Sequence, residues 1–178
     1  MLIKQINKDI QVPIVFIELK LNISEYKNIL ISDIEKGIVE NSNMNFKTNV
    51  KGRMTAWDYF NNNTCFKKIL IEAFNEIENI FNFPECALCE AWGIKIEEGE
   101  KTNLHNHFER ALSGILYLNK SDLPIKFPEI KVEIKPEEGT FLLFSGLLKH
   151  GTSRSKFSNP KYAIPFNFNI IKDWDKLK

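Results

Sequence analysis

From residue 86 onward the chain reads as short strands broken by turns, and that pattern limits it to a sandwich or a barrel. Ile130, Val132 and Ile134 alternate with Lys131, Glu133 and Lys135, which is the cleanest strand signal in the sequence. Leu112 to Leu118 is a short apolar strand, and Thr140 to Phe144 is a buried one. The turn Pro136 to Gly139 precedes the latter, and Tyr162 to Ile171 forms the last strand. Leu88, Trp92, Ile94 and Ile96 share one parity and predict a further strand.

The first half is mixed. Gln11 to Leu21 predicts a strand with imperfect alternation. Ser24 is placed as a helix N-cap, and after it Tyr26, Leu30, Ile34 and Ile38 recur at helical spacing. Asn41 to Gly52 reads as a polar loop. Thr64 is the next cap candidate. Behind it Phe66, Ile69, Leu70, Ala73, Phe74, Ile77 and Ile80 give an amphipathic helix that ends before Pro84. Helices packed on one outer face of a barrel make the expected class α+β, mainly β.

With 178 residues the chain is expected to be a single domain, residues 1–85 supporting a barrel core of 86–172. The formal charge of +1 gives no signal for nucleic acid. Cys65, Cys86 and Cys89 are an odd number, which fits a reducing compartment. Cys86 and Cys89 form a lone CxxC, assigned to packing because no second pair accompanies it. No apolar run approaches the ~18 residues of a membrane span. Lys4, Lys8 and Asp9 interrupt any signal-peptide core. The expected location is cytoplasmic, in the producing or the host cell.

All three histidines lie in the β half. His105 and His107 are two residues apart, and in extended chain such residues point to the same side. His150 follows the strand Thr140 to Phe144 and a Ser145-Gly146 turn, from which it can face the other two. Three imidazoles that leave positions open suit a catalytic metal. A lone histidine is more often a hydrogen-bonded structural residue than a ligand, so spacing by itself leaves the metal site and the structural role in balance.

The surrounding residues tip that balance. The run His105-Asn-His107-Phe-Glu-Arg-Ala-Leu-Ser113-Gly114-Ile-Leu-Tyr117 resembles the metal-binding strand of the 2-oxoglutarate/iron(II) oxygenases. It is most similar to a branch of small, prolyl-4-hydroxylase-like proteins of phages and marine bacteria. The run from Glu138-Gly139 through Phe144 to His150 resembles that family's second metal strand. Lys161 to Asn167 resembles the strand that carries its cosubstrate cation, and Asn49 to Trp57 its upstream segment. The likeness spans roughly residues 46–170. It implies a double-stranded β-helix, a jelly-roll or cupin-like barrel with iron(II) at its open end. It also implies that oxygen and 2-oxoglutarate are consumed as a substrate C–H bond is hydroxylated.

Two positions depart from the common pattern. His107 stands where a carboxylate is usual, implying a metal site of His105, His107 and His150. In an alternative frame His107-Phe108-Glu109 supplies the carboxylate from Glu109. Lys161 stands where an Arg usually meets the distal carboxylate of 2-oxoglutarate, with Arg154 as a second candidate and Tyr117 as a hydroxyl donor to the same group. Lysine supplies the charge without the planar fork. Arg53 and Asp58 are further candidates for the pocket wall. Trp57, Trp92 and Trp174 are read as core or rim aromatics.

The leading expectation is therefore an iron(II)/2-oxoglutarate dioxygenase acting on a peptidyl, amino-acid or other small substrate. A cupin-like three-histidine dioxygenase that does not use 2-oxoglutarate, and a non-catalytic barrel such as a virion-associated one, are the competing readings.

Overall fold

The computed structural model describes residues 14–41, 48–79, 85–154 and 159–171. In chain order its elements are β1 (Phe16–Lys20), α1 (Lys27–Glu40), β2 (Val50–Lys51), β3 (Arg53–Met54), α2 (Thr64–Glu78) and β4 (Cys86–Ala91). There follow β5 (Ile94–Ile96), β6 (Lys101–Thr102), β7 (Leu112–Tyr117), β8 (Ile125–Phe127), β9 (Val132–Ile134), β10 (Thr140–Ser145), β11 (Gly151–Thr152) and β12 (Lys161–Ile170). The expected α+β, mainly β architecture is what forms.

A seven-stranded antiparallel sheet runs in the order β1-β10-β7-β12-β5-β3, with β4 also paired to β12. Two small sheets, β11-β8-β9 and β2-β6, face it. The central strands β7 and β10 are buried at every position. On β10, Phe141 and Leu143 enter one core while Leu142 and Phe144 enter the other. On β7, Leu112 and Leu116 go to the first side, Ile115 and Tyr117 to the second. Both faces are covered, so these segments read as unbroken apolar runs rather than alternating ones.

The first core is the helix layer. Leu30, Ile34 and Ile38 of α1 pack there with Phe66, Ile69, Leu70, Ala73 and Ile77 of α2. Each of the larger side chains among these, when fully buried, stabilises the fold by roughly 1.5–3 kcal/mol before entropy is counted. The second core lies between the large and small sheets and surrounds the site described below.

Both caps differ from expectation. The Ser24 hydroxyl bonds Asn22 instead of a helix N–H, and the N-cap position of α1 is Tyr26, with no side-chain cap. At α2 the cap is Asn63 rather than Thr64: its Oδ1 accepts from the Phe66 N–H at 3.0 Å, and its Nδ2 donates to Asp33 of α1 at 2.8 Å. Asn63→Ala removes the cap and the tie between helices together. It is expected to cost about 1–2 kcal/mol, read as a lower urea midpoint with an unchanged slope.

The strand predicted through Leu88, Trp92, Ile94 and Ile96 is two strands. The chain changes face at Trp92-Gly93, so Leu88 packs on the helix side and Trp92, Ile94 and Ile96 on the other. Val50–Lys51, expected as loop, pairs with β6. Residues 11–13, Ile80, Pro84 and Trp174 lie outside the described residues. The lone CxxC sits on β4 as two half-buried cysteines. Among the described residues no helix is long and apolar enough to cross a membrane.

Candidate metal centre

His105 and His150 pair as an isolated antiparallel bridge between the two halves of the β region. The His105 N–H donates to the His150 carbonyl at 3.0 Å and the His150 N–H to the His105 carbonyl at 2.8 Å. His107 lies just beyond, its N–H donating to the Gly146 carbonyl at 2.8 Å. Gly146 permits this approach: a Cβ there would stand 2.2 Å from the Arg110 carbonyl oxygen and 2.6 Å from that of His107. The Ser145-Gly146 turn is thus the surface on which the His107 segment rests.

The three rings converge. Their centroids lie 4.4 Å (His105–His150), 4.8 Å (His105–His107) and 5.4 Å (His107–His150) apart. One ring nitrogen from each falls within 4.8 Å of the others. The Nδ1 of His105 is 2.8 Å from the Asn103 carbonyl, and that of His150 is 3.0 Å from the Leu148 carbonyl. A carbonyl only accepts, so each Nδ1 carries the proton and each Nε2 keeps a free lone pair. This is the orientation that outer hydrogen bonds impose on metal-bound histidines.

Electrostatics agree with the hydrogen bonding. Burial pushes the His150 imidazole down to about 3 and that of His107 down to about 4, with His105 adding repulsion in both cases. His105 is also lowered by burial. All three are neutral near pH 7, as nitrogen ligands must be.

A cavity runs from the histidines between the large and small sheets. Trp92, Ile115, Tyr117, Phe144, Lys161, Pro165 and Asn167 are among its walls. Lys161 is fully buried, and burial pushes its ammonium down to about 7. Among the described residues no carboxylate pairs with it; its Nζ lies 5.8 Å from the centre of the Tyr117 ring. The Tyr117 hydroxyl is buried without a hydrogen-bond partner, and burial raises its pKa. An unpaired cation beside an unpaired hydroxyl, both out of water, is costly in an empty protein and suited to an entering carboxylate.

The remaining candidates lie elsewhere. Glu109 is exposed and stands outside the histidine cluster, so the structure gives no support to the alternative frame. Arg154 and Asp58 are exposed and do not line the cavity. Arg53 is also exposed, paired with Glu97 at 2.5 Å. Trp57 is half-buried against Trp92, their rings 4.7 Å apart.

Sequence reasoning missed a polar group at the opposite end of the cavity from Lys161. Ser113 Oγ donates to Asn167 Oδ1 at 2.6 Å, Asn167 Nδ2 donates to Glu90 Oε1 at 2.7 Å, and Arg110 Nε donates to the same oxygen at 3.3 Å. A signal was present: Lys161, Pro165 and Asn167 share one parity on β12, and Ser113 shares that of Tyr117 on β7.

No family model and no curated protein matches the chain. Solved structures do. In architecture it is similar to the double-stranded β-helix oxygenases. In particular it superposes on the viral collagen prolyl hydroxylase of Paramecium bursaria Chlorella virus-1 bound to 2-oxoglutarate, with a TM-score of 0.64 and 16% identity over 88% of this chain and 96% of that one. A Pseudomonas putida prolyl-4-hydroxylase gives 0.61 and 13% over 88% and 93%. HygX from Streptomyces hygroscopicus, with nickel and 2-oxoglutarate bound, gives 0.63 and 13% over 87% and 82%. The fold of this chain is therefore the double-stranded β-helix.

Proposed function

We propose that the protein is an iron(II)- and 2-oxoglutarate-dependent dioxygenase that hydroxylates a C–H bond of a peptidyl, amino-acid or other small substrate. One observation carries this reading. Three neutral imidazoles converge at one end of a cavity whose other end holds a buried cation and an orphan hydroxyl. The fold shared with 2-oxoglutarate-bound structures supports it.

His105, His107 and His150 would hold the iron through nitrogen, leaving a face open for cosubstrate and oxygen. When bound, the iron and 2-oxoglutarate supply the oxidising chemistry, with succinate and carbon dioxide as coproducts. The chain does the rest. Lys161 and Tyr117 bind the distal carboxylate of 2-oxoglutarate and so orient its 2-oxo acid end toward the histidines. Phe144 and Ile115 exclude water between the two ends. A three-histidine enzyme that acts without 2-oxoglutarate has no use for a cation buried opposite its metal, and Lys161 argues against that alternative.

We further take the whole chain as one such domain, residues 1–85 supporting the barrel core of 86–172. A cytoplasmic location is supported by its odd number of cysteines. The function is tested by incubating the full chain with iron(II), ascorbate and 2-oxoglutarate. Succinate is expected to accumulate slowly without substrate and to depend on both iron and oxygen. Protein that binds iron but leaves 2-oxoglutarate unconverted, with or without added peptides and amino acids, would falsify the reading.

A further inference from the structure

The cavity is longer than its cosubstrate requires. On β7, Ser113 and Tyr117 line it four residues apart, about 13 Å of strand. On β12, Asn167 and Lys161 line it six residues apart, about 20 Å. Ser113 and Asn167 are direct neighbours across the β7–β12 ladder. A 2-oxoglutarate anchored at Lys161 and Tyr117 therefore leaves the Ser113–Asn167 end to something else. That end adjoins a surface cleft lined by Glu90, Asn106, His107, Phe108, Glu109 and Arg110, so His107 is common to the cleft and the cavity.

The polar group there is fixed but not saturated. Ser113 and Asn167 are both buried, at 2% and 1% exposure, in a wall that is otherwise largely apolar. Glu90 takes one amide proton of Asn167, and Ser113 takes one lone pair of its Oδ1. Asn167 keeps a second N–H, and the Ser113 hydroxyl keeps acceptor capacity. Arg110 locks Glu90 from the cleft side, and its backbone N–H donates to the His107 carbonyl at 2.8 Å. A rotamer held from two sides presents its free donor in one direction. An acceptor and a donor side by side match the C=O and N–H of an amide.

Resting on the oxygenase reading, we propose that Asn167, with Ser113, is a specificity-determining pair that takes an amide group of the substrate and thereby sets which C–H bond faces the metal. Glu90 is a positioning residue that acts through Asn167. A site that hydrogen-bonds a polar group rejects an analogue lacking it more strongly than an apolar pocket rejects an extra methylene, because its own buried groups are left unpaired.

The test uses full-length protein loaded anaerobically with manganese(II) and 2-oxoglutarate. The probes are N-methylpropanamide and its ester counterpart methyl propanoate, which lacks the N–H, each followed by paramagnetic broadening of its proton signals. In the wild type the amide is expected to be broadened at least about fivefold more than the ester at equal concentration. Asn167→Leu, close in shape, is expected to erase that preference while manganese and 2-oxoglutarate still bind. Ser113→Ala, which removes the acceptor together with the hydrogen bond to Asn167 Oδ1, is expected to reduce it and stands in should the first variant not fold. Equal broadening of the two probes in the wild type, or an undiminished preference in both variants, overturns the inference alone. Wild-type protein that binds no 2-oxoglutarate in the presence of manganese overturns the functional reading, and this inference with it.

Discussion

His105→Ala is expected to lose the metal-dependent rise in thermal stability expected of the wild-type protein, together with all conversion of 2-oxoglutarate. A ligand that binds only the folded state stabilises by RT ln(1 + [L]/Kd), about 4 kcal/mol at a thousandfold excess over Kd. Loss of an outer partner of a metal ligand already weakens metal sites by about 10–100-fold, and loss of a ligand itself weakens them by more. Manganese(II) that raises the wild-type melting temperature by several degrees should therefore leave the variant unmoved. His105 serves the test well because it is only half-buried and its pairing with His150 runs through the backbone, which Ala retains. His150→Ala should lose the metal equally but also some fold. Its ring is buried against Phe144 and Phe127, at 4.8 and 5.9 Å, and the vacated space costs roughly 2–3 kcal/mol. A His105→Ala protein stabilised by manganese as strongly as the wild type would remove His105 from the site.

The sequence showed the elements whose periodicity is set by their own burial. Strands β7 and β10 were legible as apolar runs because both faces are covered, and α2 because one face is. What escaped was whatever depends on pairing between distant segments. The two-residue strands Val50–Lys51, Arg53–Met54, Lys101–Thr102 and Gly151–Thr152 are too short to carry a period, and they exist because partners meet them. The break at Trp92-Gly93 kept the even parity of Leu88 and Trp92 while moving the chain from one core to the other, which periodicity cannot register. The two histidine segments could be matched to a family pattern, but the direct opposition of His105 and His150 is a matter of register, set by hydrogen bonds 45 residues apart in the chain. The choice between His105 and Glu109 turned on exposure, which spacing does not reveal. Asn167 went unread because an Asn between two phenylalanines in a strand carries no local sign of what lies opposite it. Here Ser113 does.

Lys161→Met is expected to make the empty protein more stable while abolishing 2-oxoglutarate binding, and the two effects have one cause. The unfolded lysine has a pKa of about 10.4, whereas in the folded protein it lies at about 7. The folded value is the lower, so protonation favours the unfolded chain. The cost is fully present below about pH 7 and fades as pH rises toward 10. Methionine fills similar space without a charge, and the gain at neutral pH should be roughly 2–4 kcal/mol, seen as a melting temperature several degrees higher. On the proposed function the same burial would make the site a carboxylate receptor, because an ammonium stripped of water regains its partner only when the anion enters. Binding must then take up a proton wherever the empty site is deprotonated. Near pH 8 uptake should approach one proton per 2-oxoglutarate, and near pH 6 it should nearly vanish. Calorimetry in buffers of different ionisation enthalpy reads this directly. In the wild type the Kd should be flat below about pH 7 and rise by close to tenfold per pH unit above it. A Lys161→Met protein that binds 2-oxoglutarate with wild-type affinity, or a wild-type Kd indifferent to pH between 6 and 9, would place the cosubstrate carboxylate somewhere other than beside Lys161.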